Sequence, residues 1–166
     1  MILPGVGAFD YGMSQLQARG LIPALAAVAL EKSIPVLGIC LGMQLMCAAS
    51  EEGTMPGLGW IDAHVRRFSF SHDCRLRVPH MGWNTVQVPR KNPLLSADDG
   101  EQRFYFVHSY FVACKKPEDP IAMTHYGGEF VAAFQRDNLF GVQFHPEKSH
   151  RFGLQLISAF AGLQHA

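Results

Sequence analysis

The stretch VLGICLGMQ, residues 36–44, holds a cysteine between two glycines at the end of a short apolar run. Gly38-Ile39-Cys40-Leu41-Gly42 fits the pattern G-x-nucleophile-x-G, in which a strand turns sharply into a helix and presents the nucleophile at the apex. Glycines on both sides let neighbouring chain pass without a Cβ clash. A helix beginning at Leu41 would aim its N-terminus at the sulfur and favour thiolate over thiol. The Leu41 N–H would then be free to bind a developing oxyanion. The alternative is a Cys40 that is a small buried hydrophobe in a glycine-rich turn.

A cysteine nucleophile needs a base, and the chain has eight histidines. His64, His72 and His165 read as surface or loop residues. GVQFHPEKS is different, because it places His145 directly after an apolar strand, followed by Pro146 and Glu147. Strand ends are where α/β folds build sites, and Pro146 fixes the local turn. Glu147 could hold one imidazole nitrogen and choose the tautomer. Cys40, His145 and Glu147 would then form an acyl-transfer triad of nucleophile, base and orienter. The alternative for His145 is a structural bond to a neighbouring loop. His72-x-Cys74 could be half of a metal site, but no second pair stands at usable spacing, so neither metal nor cofactor is expected.

The elements that must position these groups belong to a chain of 166 residues, enough for one domain (1–166) with a real core. Apolar residues make up 48% and charged residues 17%, a globular and not a disordered balance. Fourteen basic and fourteen acidic side chains cancel, and Arg66-Arg67 and Lys115-Lys116 are isolated pairs, which argues against a nucleic-acid groove. Four cysteines without a CxxC pair suit free thiols in a reducing cytoplasm. MILPGVGAF lacks the basic start of a signal peptide, and the apolar runs are too short for a membrane span.

MILP reads as the tail of a strand and GVGA as a tight turn. Residues 10–19 read as a helix closed by Gly20, and residues 23–32 as a second helix with Pro23 in its first turn. IPVLGI is a strand buried on both faces, and LGMQLMCAAS has helical composition. DAHVRRF, CRLRVP, NTVQVP, RFYFVHSYFVA and PIAMTHY are β-rich, and FVAAFQRD with LFGVQF makes a hairpin around Asp137-Asn138. A closing helix over about 151–164 puts Phe152, Leu156, Phe160 and Leu163 on one face. The sum is an α/β layered domain.

GICLGMQ together with QFHPE resembles the class I (triad) glutamine amidotransferases, whose Cys, His and Glu fall on Cys40, His145 and Glu147. LPGVGAF, LGICLGMQL, SEEG, PHMGWN, YFVHSY and GVQFHPEKS, in this order, are similar to the branch that forms the glutaminase subunits of imidazole glycerol phosphate synthases. The resemblance implies a flavodoxin-like layered fold with a mixed, mostly parallel central sheet. It implies glutamine hydrolysis, with ammonia passing to a (β/α)-barrel cyclase subunit in a heterodimer. It places the oxyanion site on Val6, Gly7 and Leu41, and glutamine recognition on Gln44, Glu52, Ser109 and Tyr110. Gln44 follows Cys40 by four residues, on the same helix face. The resemblance places Met81, Gly82, Trp83, Asn84 and Lys148 against the cyclase; for Trp83 core packing is the alternative.

The family begins with a strand, a helix and a further strand before LPGVG, and the sequence given starts inside that third element. An N-terminally truncated fold, short by about one βαβ unit, is therefore expected. Loss of that unit would bare an edge of the MILP strand. Three other readings stay open: a fragment that docks on the cyclase without turnover, a different class I amidotransferase, and a different cysteine hydrolase on the same elbow.

Overall fold

The computed structural model describes residues 1–71, 75–97 and 100–163. His72, Cys74 and His165 lie outside them. In chain order the elements are β1 (Ile2–Gly5), α1 (Phe9–Ala18), α2 (Leu21–Ala26) with a π-helical continuation over Ala27–Glu31, β2 (Val36–Cys40), α3 (Leu41–Leu45), β3 (Cys47–Ser50), β4 (Ile61–Arg67), β5 (His80–Val86), β6 (Gln102–His108), β7 (Tyr110–Cys114), β8 (Pro120–His125), β9 (Glu129–Arg136), β10 (Leu139–Val142), a 3-10 turn (Pro146–Lys148) and α4 (His150–Ala161).

The large sheet runs β1-β2-β10-β9-β7-β4-β3, with β8 also paired to β9. It is mixed, as expected, but not mostly parallel. Among the described residues β1–β2, β2–β10 and β3–β4 are parallel, and the other four pairings are antiparallel. The short connections in the β-rich middle suit antiparallel returns, since parallel neighbours need a crossover of a dozen residues or more. β9 and β10 form the expected hairpin, with Asp137 at φ 52° in its turn.

All five residues of β2 are buried, as a strand covered on both faces requires. Successive side chains alternate between two apolar clusters. Leu37, Ile39, Phe140 and Val142 join Phe104 and Phe106 of β6 and Leu156 and Phe160 of α4. Val36 and Leu139 join Phe9, Met13, Leu41 and Leu45 from α1 and α3. Helices α1 to α3 thus cover one face of the sheet, and α4 with the β5–β6 ladder covers the other. Phe152 and Leu163 pack on the same cluster as Leu156 and Phe160, so the expected face of the last helix holds.

Three expectations are corrected. LGMQLMCAAS is helical only over Leu41–Leu45; Cys47–Ser50 is a strand. Parallel pairing of β3 with β4 and full burial of Met46 and Cys47 override helix propensity there. Residues 75–79 of CRLRVP form no strand. RFYFVHSYFVA is two strands, β6 in the small ladder and β7 in the large sheet, with the chain changing sheets at Ser109. No helix among the described residues is long and apolar enough to cross a membrane.

Candidate active site

Strands β2 and β10 are parallel neighbours, with Val142 opposite Ile39, so their C-terminal ends reach the same edge of the sheet. Cys40 closes β2 and His145 follows β10 by three residues. Cys40 stands at φ 52°, ψ −110°, a conformation that a non-glycine residue adopts only where its surroundings impose it. Those surroundings are visible at both glycines. A Cβ on Gly42 would lie 1.8 Å from the Leu3 carbonyl oxygen, and one on Gly38 would lie 2.7 Å from the Met43 nitrogen. The glycines allow α3 to fold back tightly on β1 and β2, which forces the bend at the cysteine.

Cys40, Leu41, Gln44, Val6, Gly7, Glu52, Ser109, Tyr110 and His145 line one cavity of about 380 Å³, with Lys148 at its wall. That volume suits a small polar metabolite. His145 is buried, and its Nδ1–H donates to Glu147 Oε1 at 2.7 Å. This leaves Nε2 as the ring's proton-accepting atom. The His145 backbone is anchored on both sides: its N–H donates to the Tyr105 carbonyl, and its carbonyl accepts from the Ser149 hydroxyl.

The helix expected to favour thiolate has five residues, and it does not prevail. Burial pushes the Cys40 thiol up to about 11; the Leu41 N–H facing the sulfur pulls it down, and the Glu147 charge raises it again. The sulfur also accepts a long hydrogen bond from Gln143 Nε2 at 3.8 Å. Burial therefore favours the thiol form of Cys40 over the thiolate.

Glu52 is held at the cavity by the Phe9 N–H, 2.8 Å from its Oε2, at the start of α1. Asp10, one residue on, accepts from the Thr54 and Met55 N–H groups, and these bonds hold its carboxyl below the usual range. The loop after β3 is thus pinned to α1. The Tyr110 carbonyl already accepts from Gln44 Nε2 and His108 Nδ1, so its two lone pairs are occupied within the protein.

Met81 and Trp83 lie on the outer face of β5, 62% and 40% exposed, so Trp83 is not a core residue. Trp83 stacks on His150, with ring centroids 5.4 Å apart and planes within 6°. Lys148 Nζ lies 5.8 Å from the centroid of the Tyr105 ring. Gly82 and Asn84 occupy the alternate, more buried positions of the strand, and the Asn84 amide bonds inward to His80 and to the His125 carbonyl.

Sequence reasoning missed Gln143, Asp10 and the pair His80 and His108. Gln143 had a signal: it lies two residues before His145, on the same side of an extended chain. Asp10 had none, because its partners are more than forty residues away.

The family model for class-I glutamine amidotransferases matches residues 1–161. The chain belongs to that family. This amidotransferase is 51% identical, over 98% of its length and 80% of the relative's, to imidazole glycerol phosphate synthase subunit HisH 2 of Pseudomonas aeruginosa. It is 48% identical to the HisH subunit of Leptospira interrogans, over the same shares of each chain. Its fold is similar to that of a glutamine amidotransferase from Thermotoga maritima, with a TM-score of 0.62 at 18% identity over 96% of this chain and 62% of that one.

Proposed function

We propose that this amidotransferase is the glutaminase subunit of an imidazole glycerol phosphate synthase. It hydrolyses glutamine to glutamate and ammonia, and the ammonia passes to a (β/α)-barrel cyclase subunit that forms imidazole glycerol phosphate and AICAR in histidine biosynthesis. The observation that carries the chemistry is the convergence of Cys40 at its elbow and the His145–Glu147 pair on one cavity. Relatives of about half identity, named as subunits of that synthase, support the pathway.

In this mechanism the Cys40 proton moves to His145 Nε2 as the sulfur attacks the amide carbon of glutamine. The carbonyl oxygen becomes an oxyanion, met by the Leu41 N–H and the Val6–Gly7 turn. His145 returns the proton to the leaving nitrogen, and ammonia departs from a thioester. Water, deprotonated by His145, then attacks the thioester, and glutamate leaves as the thiol is restored. Glu147 holds the imidazole tautomer throughout. Glu52 pairs with the substrate α-ammonium, and Gln44 accepts an N–H of the substrate. Met81, Trp83 and Lys148 face the cyclase. Three of the cysteines, Cys40, Cys47 and Cys114, are free thiols, in keeping with a cytoplasmic site of action.

The test is product formation by the assembled synthase from glutamine and from free ammonia. Cys40→Ala should abolish the glutamine-dependent rate and leave the ammonia-dependent rate intact. Loss of both rates would mean that Cys40 holds the assembly together and does not carry the chemistry.

A further inference from the structure

Two histidines take no part in that mechanism: His80 of PHMGWN and His108 of YFVHSY. Both are buried, at 3% and 6% exposure. They face each other across the β5–β6 ladder, and His80 Nδ1 lies 3.1 Å from His108 Nε2. Aromatic rings close around them, with Phe106 and Tyr126 stacked on His80 and Phe68 and Phe130 against His108.

Their bonds can be ordered in one direction only. A carbonyl oxygen accepts, so His108 Nδ1, 2.7 Å from the Tyr110 oxygen, must carry a proton. With that ring neutral, its Nε2 accepts, so His80 Nδ1 carries the next proton. His80 Nε2 then accepts from Asn84 Nδ2 at 3.3 Å. Asn84 cannot be turned round, because the same nitrogen donates to the His125 carbonyl and Oδ1 accepts the Thr85 N–H. An imidazolium at either position would set a donor against a donor. Desolvation acts the same way, lowering His80 to about 4 and His108 to about 3.

The ordering continues into the cavity. The Tyr110 oxygen accepts from Gln44 Nε2 at 3.2 Å, and the same nitrogen donates to Gln143 Oε1 at 3.0 Å. Both Gln44 N–H groups are thereby used, and only its Oε1 remains for a ligand. Gln143, fully buried, then turns its own nitrogen to Cys40.

We propose that His80 and His108 are positioning residues: a proton-ordered pair that fixes the Tyr110 carbonyl and, through it, turns the oxygen of Gln44 to the substrate. This rests on the glutaminase reading and deepens it. A site that offers an acceptor at Gln44 binds an N–H-bearing substrate and disfavours a carboxylate in the same place, which separates glutamine from its product glutamate.

Long-range proton–nitrogen spectra of the 15N-histidine-labelled chain, recorded without glutamine at neutral pH, should show both rings as neutral Nδ1–H tautomers. An Nε2–H ring or an imidazolium at either position overturns the proposal. His80 does not line the cavity, so its variants separate positioning from contact. In the assembled synthase, His80→Leu should raise KM for glutamine about tenfold, the worth of one hydrogen bond, with kcat held within about threefold. His80→Asn, which keeps a donor at the δ position, should restore KM to within about threefold of the parent value. A cooperatively melting His80→Leu chain with unchanged KM, or one that loses kcat alone, overturns the proposal as well. Absence of glutamine turnover in the parent synthase would instead sink the glutaminase reading, while the ring tautomers report on the pair independently.

Discussion

At the Cys40 sulfur, burial outweighs the nearby donors, and the thiol is pushed up to about 11. Iodoacetamide labelling of Cys40 in the free chain should therefore be slow at neutral pH and keep accelerating as the solution is made alkaline, read by mass spectrometry of its peptide. A rate that levels off below about pH 8, short of the ordinary cysteine value, would show a thiolate already formed. The triad residues should differ in weight. Cys40→Ala should lower glutamine hydrolysis about a thousandfold or more, and His145→Ala nearly as much. Glu147→Gln should cost less, because the carboxylate orients the ring and does not carry the proton. Its side chain is also 57% exposed, so water already competes for that bond. A Glu147→Gln enzyme slower than His145→Ala would reverse the two roles.

Among the elements, the β2–α3 elbow depends on closeness. α3 lies against β1 so tightly that a single methyl at position 42 meets the Leu3 carbonyl. Neither side can yield cheaply, since β1 is paired to β2 from Ile2 to Gly5. Gly42→Ala should destabilise the fold by about 2 kcal/mol or more, at the upper end of overpacking, read as a lowered urea midpoint. An unchanged midpoint would mean that α3 can slide, and that the strained φ at Cys40 has another cause. The π-helical continuation of α2 and the turn of the β9–β10 hairpin are joined by Asn138, whose Nδ2 donates to the Ala29 and Ile34 carbonyls. One side chain thus ties the helical layer to the strand that leads to His145.

Across the whole molecule, one sheet carries both apolar clusters, so we propose that residues 1–166 unfold as a single cooperative unit. Its stability should depend on acid in a defined window. His80 and His108 titrate at about 4 and about 3 when folded, against 6.5 for an unperturbed ring. Apart from desolvation, the neighbouring His80 and His145 disfavour protonation of His108, while its bond to the Tyr110 carbonyl favours it. Above 6.5 neither state protonates the two rings, and the folded chain keeps its full advantage. As pH falls below 6.5 the unfolded chain takes up two protons that the folded chain excludes, so stability declines until the folded values are reached. Melting temperature should therefore drop between about pH 6.5 and pH 4, and a His80→Asn/His108→Asn double variant should show a flatter profile. Equal slopes for the two proteins would mean that other groups set the acid limit.

The features legible along the chain are those that a few adjacent residues encode. The glycines around Cys40 announce the elbow, HPE announces a histidine paired with a nearby carboxylate, Asp137-Asn138 announces a hairpin, and the spacing from Phe152 to Leu163 announces the last helix. Each rests on turn chemistry, steric demand or periodicity, which act over a handful of bonds. The rest depends on contacts between segments far apart in the chain. Whether Cys40 and His145 share a cavity depends on β2 and β10 lying side by side in register. Helix propensity in LGMQLMCAAS gave way to pairing with β4, and an apparently continuous strand was divided between two sheets at Ser109. The helix start at Leu41 does pull the Cys40 thiol down, but it is a local feature, and desolvation, the sum of everything packed around the sulfur, outweighs it. The ordered chain from Asn84 to Gln44 was invisible for the same reason. Its members come from β5, β6, β7 and α3, and hydrogen-bond direction exists only once those strands and that helix have been brought together.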